Sequence, residues 1–338
     1  MFNLSLSYGN QTSLLRVTSL DPRKPAAIIV QDSHGISLIA DGGTPESLDI
    51  LIDHLFIVGT TGTTSTFNGI HLSSNTNIVL STLIVDSVDI SGFGATGMLV
   101  ERKSGPPIYG IYISNSKFHD NPGALSAEGY VGVGLLLRGV LIAKITSCEF
   151  YNNGANSNKG FSGGFLVYDA NDVWIFSSYS HDNKCPYLGG AGFEIQKGTQ
   201  NVEIAYCTTA NNEGLAFVIT AYNDPSNFGS GEISNVLIRD SKSTGDGSRY
   251  KYAATSVYGQ LGAITYNAAF RNVYIEITAS GVIPTHFGTA GFVGLYLSGN
   301  FSKVYSDHVV YNFTMTNPPV VFNSFLVCNS DESPVCSA

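Results

Sequence analysis

Lys117 and His119 stand two residues apart, Glu149 and Tyr151 repeat that spacing, and Tyr179 and His181 repeat it again. If these three segments lie one above another, their side chains form one patch holding a cation, two imidazoles, two phenols and a carboxylate. Such a set suits β-elimination from a uronate. A cation neutralises the sugar carboxylate, a base removes the C5 proton and an acid protonates the departing oxygen. Lys117 would neutralise, and His119 or His181 would act as base near neutral pH. Tyr151 would donate the proton, because a phenol serves as base only where a nearby cation lowers its pKa. Glu149 and Tyr179 would contact the substrate. The same residues admit a plain reading, in which the His-Asp-Asn turns tie down backbone groups and the aromatic side chains form an inert surface ladder.

Two further sets compete. Glu101, Arg138, Tyr168 and Gln196 take corresponding positions in segments that open on glycine, with His71 and Glu194 two residues earlier in their own segments. Carboxyls beside an arginine would suit a glycoside hydrolase, where two carboxyls flank the bond. Glu101 and Arg138 would equally make a surface ion pair of little energetic weight. The third set is a column of Tyr112, Lys144, Trp174, Glu203, Leu237 and Tyr274, which turns the only tryptophan outward, where aromatic faces suit sugar rings. Arg249, Tyr250, Lys251 and Tyr252 would clamp an acidic sugar or form a solvated loop tip.

These residues need a scaffold that repeats. Segments beginning at Ile78, Ile111, Ala143, Val173, Val202, Val236 and Val273 return every 29 to 37 residues, a drifting period that one coil with loops of varying length produces. Within a segment apolar and polar residues alternate, as Val202 and Ile204 do against Glu203 and Ala205, which is the period of a half-buried strand. Five residues after each start stand Leu83, Ser116, Cys148, Ser178, Cys207, Ser241 and Thr278, mostly small side chains expected to stack inward. Glycine-led runs such as Gly97 to Val100, Gly134 to Leu137 and Gly164 to Val167 add a second strand per coil. Asp120-Asn121, Asn152-Asn153, Asp182-Asn183 and Asn211-Asn212 mark one turn per coil, closed by a residue tolerant of left-handed backbone.

This pattern resembles the right-handed parallel β-helix superfamily, the fold of pectate lyases, polygalacturonases, alginate lyases, epimerases and many phage tailspikes. The resemblance covers residues 28–313. It implies an all-β, single-stranded parallel solenoid of about ten coils, with residues 1–27 and 314–338 as end caps that shield unpaired strand edges. The superfamily shares its coil rather than its chemistry. The consecutive aspartates and Gly-His-Gly segment of polygalacturonases are missing here.

Composition agrees with a turn-rich all-β chain: 338 residues contain 37 glycines and only 13% charged side chains. A net charge of −9 argues against general binding to nucleic acid or anionic membranes. Without an apolar run of eighteen residues, no membrane-spanning segment is expected. The N-terminal residues lack the basic and apolar regions of a signal peptide, so the chain reads as a mature or trimmed form. Cys148 and Cys207, two coils apart, are expected as buried thiols, and Cys328 with Cys336 as a small disulfide loop of an oxidising compartment, leaving Cys185 unpaired. Sequons at Asn3, Asn10, Asn300 and Asn312 fit secretion. No cofactor is implied, and calcium is left open as a ligand. The partner expected is a polysaccharide, acted on by a lyase or epimerase. A non-catalytic adhesin, fibre or virion spike, self-associating as a homo-oligomer, is the alternative.

Overall fold

The computed structural model describes residues 13–40, 47–60, 66–74, 79–104, 107–125, 129–158, 160–184, 188–223, 231–247, 253–260, 263–278, 293–299 and 301–314. Cys185, Cys328 and Cys336, the loop residues Arg249 to Tyr252, the segment 315–338, Asn3, Asn10 and Asn300 lie outside the described residues, as does the side chain of Asn312. No helix occurs among the described residues, and every pairing between strands is parallel. The fold is the expected parallel β-solenoid.

Each coil runs through three short strands. Ile111–Ser114 belongs to one limb of an 18-stranded bent sheet, Lys117–His119 to its second limb, and Gly129–Arg138 to a nine-stranded sheet on another face. Among the described residues that last sheet holds nine strands, one per coil, close to the expected ten. Stacking begins earlier than residue 28, because Ser13–Thr18 already pairs with Ser13↔Leu48 through Thr18↔Asp53.

The bend between the limbs has a local cause. Asn115, Ser147, Ser177, Tyr206, Asp240 and Asn272 all take left-handed backbone, with φ between 48° and 55°. One such residue turns the chain sharply without ending the alternation, so side chains on both sides of the corner still point inward. Asp120, Asn152, Asp182 and Asn211 turn the next corner in the same way. The asparagine after each of them is buried and forms a ladder. Asn121 Nδ2 donates to Asn153 Oδ1 at 2.9 Å, Asn153 to Asn183 at 2.9 Å, and Asn183 to Asn212 at 2.7 Å. Asn212 donates at 2.8 Å to Asp246, whose other oxygen accepts from Thr209 and Ser243 at 2.7 Å each.

Ile50, Leu83, Ile111, Ala143, Val173, Val202, Val236 and Ala268 share one buried column. Two expected starts were therefore misplaced, Val273 in the wrong limb and Ile78 outside the described residues. Leu83, not Ile78, aligns with Ile111, and Ala268, not Val273, aligns with Val236. The corner preserves alternation, so a five-residue slip leaves the pattern looking intact. Ser116, Cys148, Ser178 and Cys207 are buried as expected, and both cysteines are free thiols. The serines accept the amide N–H of the preceding coil: Val88 to Ser116 at 3.1 Å, Cys148 to Ser178 at 3.2 Å and Cys207 to Ser241 at 3.2 Å.

Glycine opens the strands of the third sheet for steric reasons. A Cβ on Gly97 would sit 2.6 Å from the carbonyl oxygen of Gly134, and one on Gly134 would sit 2.6 Å from that of Gly164. Close backbone approach between coils excludes any side chain there.

Candidate functional site

The bent sheet's second limb brings together all six residues of the first expected patch. Glu149 pairs with Lys117 and Tyr179, and Tyr151 pairs with His119 and His181. Between the two outward columns, Phe118, Phe150 and Ser180 point inward and are fully buried. The His119 and Tyr151 rings stack at 4.5 Å between centroids and 1° between planes, and Tyr151 stacks on His181 at 5.0 Å. Because the rings cover one another's faces along the solenoid axis, they present edges to solvent. A flat platform for a sugar ring is not available in this stack.

The charges of this patch are satisfied from within. His119 meets Asp89 through Nε2 and Asp120 through Nδ1, both at 2.7 Å. His181 meets Glu149 at 3.2 Å and Asp182 at 2.7 Å in the same manner. Lys117 Nζ lies 3.0 Å from Glu149. Burial opposes charge on His119, yet the bonds from Asp89 and Asp120 outweigh it and raise the imidazole above its ordinary value. The Glu149 hydrogen bond raises Lys117. Glu149 itself, which burial alone would raise, is held low by Lys117 and His181. Burial raises the Tyr151 phenol despite Lys117, which keeps it a proton donor and not a base.

The outer face of the nine-stranded sheet is different. One column there runs His71, Leu99, Leu136, Leu166, Glu194 and Val218, and the next holds Glu101, Arg138 and Tyr168 in register. Much of this face is buried, including Leu136, Leu166, Tyr168, Glu194 and Gln196. Glu101 accepts from His71 Nε2 at 3.1 Å and meets Lys103 at 3.3 Å and Arg138 at 3.9 Å. Burial would raise this carboxyl, but His71 and Lys103 hold it below the usual range. His71 Nδ1 is buried without a partner. The pair expected at the surface between Glu101 and Arg138 is thus part of a half-enclosed cluster.

From Arg138 a continuous series of contacts leads to Glu194. The Arg138 guanidinium lies 5.3 Å from the Tyr168 ring centre, and Tyr168 and Tyr130 are 5.1 Å apart. Tyr130 Oη donates to Gln196 Oε1, and Tyr222 Oη lies 2.9 Å from Tyr130 Oη and 3.2 Å from the same oxygen. Gln196 Nε2 donates to Glu194 Oε1 at 2.7 Å. Lys197 Nζ sits 4.8 Å from the Tyr222 ring centre. Burial pushes the Glu194 carboxyl up to about 7, against the Gln196 hydrogen bond. A group poised there exchanges protons readily at neutral pH. Glu101 and Glu194 are three coil steps apart, about 14 Å at the inter-strand spacing, beyond the roughly 5–10 Å of paired glycosidase carboxyls. A hydrolase built on these two acids is excluded by that distance.

Residues 53–233, more than half of the chain, match the family described as the right handed beta helix region. The chain belongs to that right-handed β-helix family. No curated protein matches the sequence. Among solved structures this β-helix chain is similar to alginate lyase from Paenibacillus sp. str. FPU-7, at 14% identity and a TM-score of 0.42, over 84% of this chain and 99% of that one. It is also similar to pectate lyase Pel9A, at 15% identity and a TM-score of 0.41, over 82% of this chain and 70% of that one. Neither likeness bears on chemistry, which rests on the side chains of this β-helix.

In the third expected column, Tyr112, Lys144, Trp174, Glu203 and Leu237 do align outward, with Tyr112 exposed and Trp174 half-buried. Tyr274 does not join them: it pairs with Lys242 in the other limb, a consequence of the slip at Val273. Tyr130 and Tyr222 were not anticipated, since each comes from the edge of a long loop. Glu194 carried one signal, an acid interrupting a column of leucines. Among the described residues no cluster of three His, Cys, Asp or Glu is arranged to hold a metal ion.

Proposed function

We propose that this β-helix chain is an extracellular carbohydrate-active protein that cleaves or epimerises uronate-containing glycans. The reading is carried by the contact series on the outer face of the nine-stranded sheet, which links Arg138 through three phenols and Gln196 to the Glu194 carboxyl. A cation beside proton-transferring groups is what removal of the C5 proton of a uronate requires. Lys117, His119, Tyr151 and His181 form the second candidate, ranked lower because both ring nitrogens of each histidine already face carboxylates. The sequons and terminal cysteines support the extracellular setting.

The test is to incubate the protein with polyuronates and neutral glycans while following the ultraviolet absorbance of unsaturated ends and, separately, reducing ends. Unsaturated ends, or C5 inversion seen by NMR, support the proposal; reducing ends without unsaturation would indicate a hydrolase. The self-neutralised histidine and tyrosine ladder favours a second reading, a passive adhesin, fibre or spike. That reading requires no product from any glycan, and binding that depends on Trp174 and Tyr112.

A further inference from the structure

Glu194 is out of place as a structural residue. Its register neighbours on the outer face are Leu166 and Val218, and it is only 7% exposed. Among the described residues, the buried carboxylates Asp246 and Glu101 are well provided for. Asp246 accepts four hydrogen bonds, and Glu101 faces His71, Lys103 and Arg138. Glu194 receives a single side-chain hydrogen bond, from Gln196.

Gln196 is itself fixed. Its carbonyl oxygen accepts from the phenols of Tyr130 and Tyr222, which leaves the amide nitrogen aimed at Glu194. Two tyrosines from distant coils thus orient one glutamine, and the glutamine orients one carboxyl. Such support around a single titratable group is how sites hold a reacting side chain in place. Cationic groups lie at both flanks, Lys197 over Tyr222 and Arg138 over Tyr168.

We propose that Glu194 is the proton-transferring residue of this site, with Gln196, Tyr130 and Tyr222 as its positioning residues. The inference rests on the reading of the chain as a uronate lyase or epimerase and names the group that performs the step. The Glu194 carboxylate takes the C5 proton of a bound uronate, whose own carboxylate is neutralised by Arg138 or Lys197. The C5–H electron pair forms the C4=C5 double bond, and the C4–O4 bond breaks with its pair on oxygen. The departing oxygen takes the proton back from Glu194, which regenerates the carboxylate. A proton-poised carboxyl, pushed up to about 7, suits both directions of transfer.

The test uses the full chain and polyuronates of defined composition. Glu194→Gln should lower turnover at least 100-fold, abolish exchange of the C5 hydrogen with deuterated water, and leave oligosaccharide affinity by calorimetry within threefold. Gln196→Leu should displace the acidic limb of the pH–rate profile while changing KM little. Wild-type turnover with Glu194→Gln within threefold of it overturns the inference and leaves the functional reading standing. A wild type that gives neither product nor C5 exchange on any polyuronate overturns both. Should Glu194→Gln fail to fold, Glu194→Asp, which withdraws the carboxyl by one methylene, must lose at least tenfold in turnover with an unchanged melting temperature; unaltered turnover overturns the inference.

Discussion

Asp89 lies one coil before His119 and holds its Nε2 at 2.7 Å, while Asp120 holds Nδ1 at the same distance. A ring with both nitrogens donating is an imidazolium, and an imidazolium has no lone pair with which to take a proton. The geometry that makes His119 conspicuous in the sequence therefore unsuits it as a base. NMR titration should find the His119 pKa above its ordinary value, and Asp89→Asn should bring it back down. The folded-state pKa is raised, so the stability this network contributes is fully present below about pH 6.5 and is lost as pH rises through the folded value.

Lys117→Ala and Tyr151→Ala should leave turnover on polyuronates within threefold of wild type. Lys117 is half-exposed and pairs with a partly exposed Glu149, so its removal should lower stability by less than about 1 kcal/mol. Loss of activity in either variant, measured by release of unsaturated ends, would return the site to the bent sheet.

Arg138→Ala should lower kcat/KM by about 100-fold, roughly 2.7 kcal/mol of transition-state stabilisation, with Arg138→Lys recovering part of it. A cation that neutralises the substrate carboxylate tolerates a change of shape better than a loss of charge.

Glu194 gives stability a distinctive pH dependence. Its folded pKa is raised, so the folded state prefers the protonated acid. Its contribution is neutral below about pH 4.5, becomes unfavourable between there and 7, and levels off above. Glu194→Gln should therefore match wild type in stability near pH 4 and exceed it above pH 7 by on the order of 3 kcal/mol, seen as a higher melting temperature. Calorimetric melts at both pH values check this.

Asn183→Ala should lower stability by about 2–4 kcal/mol. It removes a buried side chain that accepts from Asn153 and donates to Phe150 and Asn212, leaving those partners unsatisfied. Chemical denaturation with an unchanged m-value is the readout.

The solenoid was legible in the sequence because side chains at equal offsets, such as His119, Tyr151 and His181, do stack. Register failed at Val273 because a single left-handed residue bends the strand without disturbing its alternation. Asn272 and Val273 look like the entry to a strand and are in fact its corner. The outer face of the nine-stranded sheet was harder to read for a different reason. Leu135, Leu136 and Leu137 are all buried, so alternation vanishes where both faces are covered. The residues that complete the cluster there are remote in sequence, with Tyr130 and Tyr222 separated by 92 positions.

The asparagine ladder has a direction. Within the ladder each amide from Asn121 to Asn212 gives one N–H to the coil that follows it in the chain, while Asn153, Asn183 and Asn212 also donate to a backbone carbonyl of the coil before, and the series stops at Asp246, which offers only acceptors. A nascent chain leaving the ribosome would thus carry, at each stage, one enclosed N–H still waiting for its acceptor. Assembly is drawn forward coil by coil, and a partly stacked intermediate keeps a sticky leading end until residue 246 closes it.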